Sequence, residues 1–132
     1  MKHLASNVAL AVVLSTAGAF GQQGLGEAEY MAACAVCHGE SARGDGPFAE
    51  VLSIAVPGLT GLAAANGGVF PVIETLRVID GRDALAAHGG PMPIWGDRYV
   101  AAADALGGPF DPETIARGRL LSLVYYLESI QD

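Results

Sequence analysis

At 132 residues, 18 of them glycine, the chain has the length of one domain. Seven Lys plus Arg stand against 14 Asp plus Glu, a formal charge of −7, which argues against binding nucleic acid or an anionic membrane surface. Only two cysteines are present, too few for a structural zinc site with its usual four ligands.

The amino terminus has the three parts of an export signal. Met1-Lys2-His3 is basic, Val8 to Leu14 is apolar, and Ala17-Gly18-Ala19 is an A-x-A cleavage site. Residues 1–19 are therefore expected to be a signal peptide removed on export, leaving one domain over 20–132. The apolar stretch from Val8 to Phe20 has 13 residues, short of the ~20 that a spanning helix needs, which argues against an uncleaved anchor. Loss of Lys2 leaves six arginines against 14 acids, a formal charge of −8. The expectation is a soluble periplasmic monomer without stable membrane insertion.

The first helix is expected over about Glu27–Cys37. Tyr30, Ala33, Cys34 and Cys37 fall at i, i+3, i+4 and i+7 on one face. It runs into Cys34-Ala35-Val36-Cys37-His38, the attachment signature of a covalently bound c-type haem. On a helix, Cys37 and His38 follow Cys34 by three and four residues, so the two thiols and the imidazole project from one side. The sulfurs can form thioethers with the porphyrin vinyl groups and His38 can ligate the iron. A thioredoxin-like pair would follow a strand, and none precedes Cys34. A plain disulfide, the alternative in an oxidising compartment, leaves His38 and the later Met92 unexplained.

From Gly39 to Gly68 the sequence reads as loop. So long a loop ordinarily counts against an assignment, but a haem offers irregular backbone an apolar surface to pack on. A second helix is expected over about Pro71–Asp80, with Val72, Leu76 and Ile79 on one side and Gly81 where it stops. Then comes Gly89-Gly90-Pro91-Met92-Pro93-Ile94-Trp95-Gly96. Flanking prolines fix their own φ and bias their predecessors to extended backbone, so the Met92 thioether rides on a stiff loop. Met92 is the candidate sixth ligand, and methionine opposite histidine raises the potential of a c-type haem. His88 is its rival. Met31, beside Tyr30, is expected to fill the core.

A shorter helix is expected between Asp97 and Leu106. The last starts near Asp111, an N-cap followed by Pro112 and Glu113, with Ala116, Leu120, Leu123, Val124, Leu127 and Ile130 on its apolar face.

Taken together, these residues resemble the small monohaem class I cytochromes c of the bacterial periplasm, over essentially all of residues 20–132. Gly26, Tyr30, Cys34, Cys37 and His38 match the family's Gly-x-x-x-aromatic-x-x-x-Cys-x-x-Cys-His helix, and Tyr126 looks like the aromatic of the carboxy-terminal helix that crosses it. Val56-Pro57-Gly58-Leu59-Thr60 is similar to the loop whose proline carbonyl accepts a hydrogen bond from the proximal histidine, and Met92-Pro93-Ile94-Trp95-Gly96 to the methionine loop. The resemblance implies an all-α fold of three to five helices with long loops around one covalent haem c, held by Cys34 and Cys37. His38 and Met92 are the implied axial ligands, with Pro57 and Trp95 in the haem environment. A donor at Trp95 would meet a haem propionate, with Arg43, Arg77, Arg82 and Arg98 as alternatives for that role. No catalytic residue comes with this family.

The expected function is one-electron transport, outer-sphere, through transient encounters with redox partners carrying basic docking surfaces. The alternatives are a dedicated haem subunit of a dehydrogenase or oxidase complex, and a haem enzyme or gas sensor with an open iron position. Met92 discriminates, because a bound thioether closes that position.

Overall fold

The computed structural model describes residues 17–83 and 92–132, with side chains from residue 24 onward. Among the described residues six helices, one more than the three to five expected, run α1 (Ala17–Ala33), α2 (Ala35–His38), α3 (Leu62–Ala65), α4 (Val72–Asp80), α5 (Trp95–Leu106) and α6 (Pro112–Ser129), with one 3-10 turn at Ala49–Val51. The described residues contain no strand, in agreement with the all-α expectation. Among them no helix is long and apolar enough to cross a membrane.

The centre of the fold is α6, which packs against α1, α5 and α4. Its start is set as its sequence implies: the Asp111 carboxylate accepts from the Thr114 backbone N–H at 3.0 Å, and Pro112 occupies the first turn. Ala116, Leu120, Leu123, Val124 and Leu127 are buried, as their spacing requires, and Tyr126 joins them. Against this face α1 sets Tyr30, whose ring lies 5.3 Å from that of Tyr126, a separation favourable for an aromatic pair. Gly26 permits the crossing: a Cβ there would lie 2.7 Å from the Ser122 carbonyl carbon and 2.8 Å from Tyr126 Cβ.

An ion pair closes the same interface. Arg119 of α6 donates from Nε and Nη2 to the two carboxylate oxygens of Glu29 on α1, at 2.7 and 2.9 Å. The guanidinium also lies over the Tyr99 ring of α5, 4.2 Å from its centroid, so one charged group ties three helices. The Tyr99 hydroxyl is buried without a hydrogen-bond partner. Burial and the nearby Glu29 charge push its phenol well above the ordinary tyrosine value.

Several boundaries differ from those read in the sequence. The first helix is already formed at Ala17, ten residues before Glu27, and breaks at Cys34, where φ reaches −110°. Cleavage after Ala19 would remove only its first three residues; positions 1–16 lie outside the described residues. Within the expected loop from Gly39 to Gly68 stand α3 and the 3-10 turn, each a single turn. Met31 is a correction: it is 41% exposed rather than in the core. Its neighbour Tyr30 takes the side of α1 that meets α6, and adjacent residues of a helix do not share a face.

Candidate functional site

The backbone stays helical across the Cys34–His38 motif despite the break in α1. The Cys37 and His38 N–H groups both donate to the Cys34 carbonyl oxygen, at 3.1 and 2.9 Å. The two thiols and the imidazole therefore share one side of the helix, and all three line a single cavity of about 410 Å³. The cysteine sulfurs are not joined to each other. Burial pushes the Cys34 thiol up to about 11, and the Glu29 charge adds to the effect.

After His38 the chain turns sharply and folds back. Tyr30 donates its hydroxyl hydrogen to the Gly39 carbonyl at 2.6 Å, holding the end of the motif onto α1. The Gly44 N–H then donates to the His38 carbonyl at 2.8 Å. Gly44 has φ of +81°, and a Cβ on it would lie 3.2 Å from the Pro57 carbonyl carbon and from Gly58 N. A side chain there would push away the very segment that contacts His38.

That contact is a hydrogen bond of 3.0 Å between His38 Nδ1 and the Pro57 carbonyl oxygen, as the resemblance implies. A carbonyl can only accept, so Nδ1 carries the proton and the Nε2 lone pair is left for a metal. The Pro57 segment is itself anchored. Leu59 N–H donates to the Ala42 carbonyl at 2.7 Å. Gln131 Nε2 donates to the carbonyls of Leu59 and Leu127, at 2.8 and 2.7 Å, and its Oε1 accepts from Ala63 N–H at 2.9 Å. Asp132 adds Thr60 Oγ1 at 2.8 Å and Arg43 at 2.9 Å.

The rest of the cavity is apolar but for one arginine. Ala33, Val36, Phe48, Leu52, Ile54 and Val56 form one part of its lining, and Met92, Pro93 and Trp95 another. Phe48 is 55% exposed and Ile54 48%, an apolar lining open to solvent of the kind that marks a binding groove. The one charged group among the described lining residues is Arg98, whose guanidinium sits 5.2 Å from the centre of the Trp95 ring.

Of the candidate residues, the structure brings Cys34, Cys37, His38, Pro57, Met92 and Trp95 to this one cavity. It separates the four candidate arginines. Arg98 lines the cavity, Arg43 pairs with Asp132, Arg82 pairs with Asp80 and Glu113, and Arg77 is not among the lining residues. His88 lies outside the described residues. No acidic residue is among the described lining, so the net negative charge resides elsewhere on the surface.

Sequence reasoning missed Phe48, Leu52, Ile54 and Val56 as cavity wall, since they show neither helical nor strand periodicity. Their apolar character inside a glycine-rich stretch was the available signal.

These residues fit a haem. Two thiols would supply attachment, an imidazole and a thioether would supply donors to the iron, the wall is largely apolar, and one arginine offers a cation for carboxylates. Comparison of the chain with protein-family models, with curated proteins and with solved structures returns no match.

Proposed function

We propose that the protein is a periplasmic one-electron carrier with the class I cytochrome c fold, binding one covalent haem c in the cavity lined by Cys34, Cys37, His38 and Met92. Haem bound there supplies a ferric–ferrous couple. The observation that carries the reading is the meeting of four residues as far apart in sequence as Cys34 and Met92 on one apolar cavity, with His38 held in the tautomer that frees Nε2.

Each side chain has a defined task. Cys34 and Cys37 would hold the haem as thioethers, each thiol S–H adding across a vinyl C=C so that one C–S and one C–H bond form with no net oxidation. His38 offers Nε2 while Pro57 keeps its ring from turning. Met92 provides a soft sulfur donor, which favours the ferrous state. Trp95 and Arg98 present an indole N–H and a guanidinium suited to propionates. With haem in place, the apolar lining would keep water from much of it, which would raise the potential further. Met92, if it holds the iron, would leave no position for a substrate, which favours a carrier over an enzyme or gas sensor. Docking is transient, with an interface under about 1,200 Å². Partners meet an apolar mouth, the acidic surface acting at longer range.

The test is Met92→Ala in protein matured with haem. The oxidised wild type shows the weak long-wavelength sulfur-to-iron band, and the reduced form binds carbon monoxide poorly at neutral pH. The variant loses the band, binds carbon monoxide and has a lower potential. A wild type that lacks the band and binds gases readily overturns the carrier reading.

A further inference from the structure

Met92 stands between α4 and α5 in the chain, and a residue just after α4, Arg82, meets one in the first turn of α5, Gly96. On the α4 side, Arg82 donates from Nε and Nη2 to the two oxygens of Asp80, at 2.6 and 2.8 Å. The same guanidinium reaches α6, donating from Nη1 and Nη2 to the oxygens of Glu113 at 2.7 and 3.0 Å. On the α5 side, Gly96 lies directly against this pair. A Cβ on Gly96 would collide with Arg82 Nε and Asp80 Oδ1 and stand 2.9 Å from Arg82 Cδ. Gly81, one residue before Arg82, packs against Ile94, two residues before Gly96: a Cβ on Gly81 would lie 3.3 Å from Ile94 Cα. Met92 is two residues before Ile94.

We infer that Arg82 is a positioning residue for Met92: its guanidinium, forked between Asp80 and Glu113, closes the base of the methionine-bearing segment and so holds the thioether at the cavity. The inference rests on the haem reading proposed above. The residues involved are ill suited to a larger structural role. Side-chain exposures of Arg82, Asp80 and Glu113 are 28%, 23% and 33%, and ion pairs so accessible to water contribute little to global stability. What the fork does supply is geometry. Four charge-assisted hydrogen bonds from one planar group fix the relative placement of α4's end, α6's start and, through Gly96, α5's start. The local concentration of a tethered ligand depends on how its tether is anchored, so slackening the base weakens Met92 against any competing ligand. Arginine fits where lysine would not, because an ammonium cannot bridge two carboxylates with paired parallel bonds.

The test uses the haem-loaded protein and exogenous imidazole as the competing ligand of ferric iron. Arg82→Ala is expected to bind imidazole at least tenfold more tightly than wild type. The pH at which the sulfur-to-iron band is lost on alkaline titration should fall by a unit or more, while far-UV circular dichroism is unchanged. Arg82→Lys, which keeps the charge and loses the fork, should follow Arg82→Ala, and Glu113→Gln should move both readouts in the same direction by less. Glu113→Gln keeps the inference testable if Arg82→Ala does not fold. Arg117→Ala removes an exposed pair with the same Glu113 carboxylate and is expected to leave imidazole affinity unchanged. Wild-type imidazole affinity and an unmoved band in Arg82→Ala and Glu113→Gln, or wild-type behaviour in Arg82→Lys, overturns the positioning role while leaving Met92 as ligand. Absence of the band from the wild type overturns both.

Discussion

Gly26→Ala adds one methyl group at the crossing of α1 and α6, and the structure gives its size. The new Cβ would stand 2.7 Å from the Ser122 carbonyl carbon and 2.8 Å from Tyr126 Cβ, with the Ser122 oxygen nearer still, where ordinary contact begins at 3.4 Å. The obstacles are helix backbone and a side-chain root, not a flexible tip that could swing aside, so the helices must part by at least 0.7 Å. A gap of that size forfeits about a quarter to a half of each dispersion contact across the interface. That interface includes Tyr30, Leu123 and Val124, all fully buried. Overpacking of this kind costs about 1–3 kcal/mol, occasionally more, while alanine over glycine in a helix returns about 1 kcal/mol. Because the clash is on backbone, the upper end applies and a net loss of about 2 kcal/mol is expected. For a domain of this size that is a fall in melting temperature of roughly 8 °C. Gly118→Ala on α6 is the internal control: a Cβ there meets nothing within 4 Å, so only the propensity gain of about 1 kcal/mol remains and the melting temperature rises by roughly 4 °C. Thermal unfolding of the haem-loaded protein, followed by circular dichroism at 222 nm, separates the two. If both alanines stabilise equally, the close approach of α1 and α6 at Gly26 is wrong.

Gln131→Ala removes the three hydrogen bonds that hold Leu59, Ala63 and Leu127 together. Leaving those partly buried backbone groups unpaired costs about 1–3 kcal/mol, and native-state hydrogen exchange at Ala63 should speed up well beyond that at Leu123. Equal protection at Ala63 in both proteins would count against the anchoring of the Pro57 segment. The Arg82 and Arg117 guanidiniums hold the Glu113 carboxyl down to about 2, and the Arg82 side chain also lowers that of Asp80. Depressed carboxylate values mean that the bridge contributes fully above the unfolded value of about 4.3 and is lost as pH falls toward about 2. A carbon-13 titration of the Glu113 carboxyl should show this, and in Arg82→Ala the midpoint should move up toward the ordinary range. An ordinary midpoint in the wild type would refute the bridge.

The parts of the fold legible in the sequence were those where local chemistry and tertiary packing agree. The last helix has a cap, a proline in its first turn and a continuous apolar face, and it appears at Pro112–Ser129 as its pattern demands. The second expected helix appears at Val72–Asp80 and stops at Gly81, where φ is +70°. The cysteine–histidine motif was legible because its spacing alone puts three donors on one side of a helical turn. Met31 was misplaced because adjacency to a buried tyrosine says nothing about the face, and the helical turns before Glu27 were not seen because α1 includes Ala17–Ala19, which were read as part of a signal. The Arg82 bridge joins residues 31 positions apart and its acids look like ordinary surface charge, so only the packing of α4, α5 and α6 exposes it. The arginine beside the cavity was one of four equivalent candidates in the sequence. Selecting Arg98 required knowing that Arg43 and Arg82 are occupied by carboxylates elsewhere.

The central claim, one haem bound through both Cys34 and Cys37, is tested most directly by a pyridine haemochrome spectrum of protein expressed with a haem-attachment system and washed with acid acetone. The colour is expected to stay with the protein and the spectrum to have c-type peaks. Cys34→Ala and Cys37→Ala each shift those peaks toward the single-thioether position, and the double variant has none after extraction. Haem released into acid acetone from the wild type, or a b-type spectrum, would contradict it.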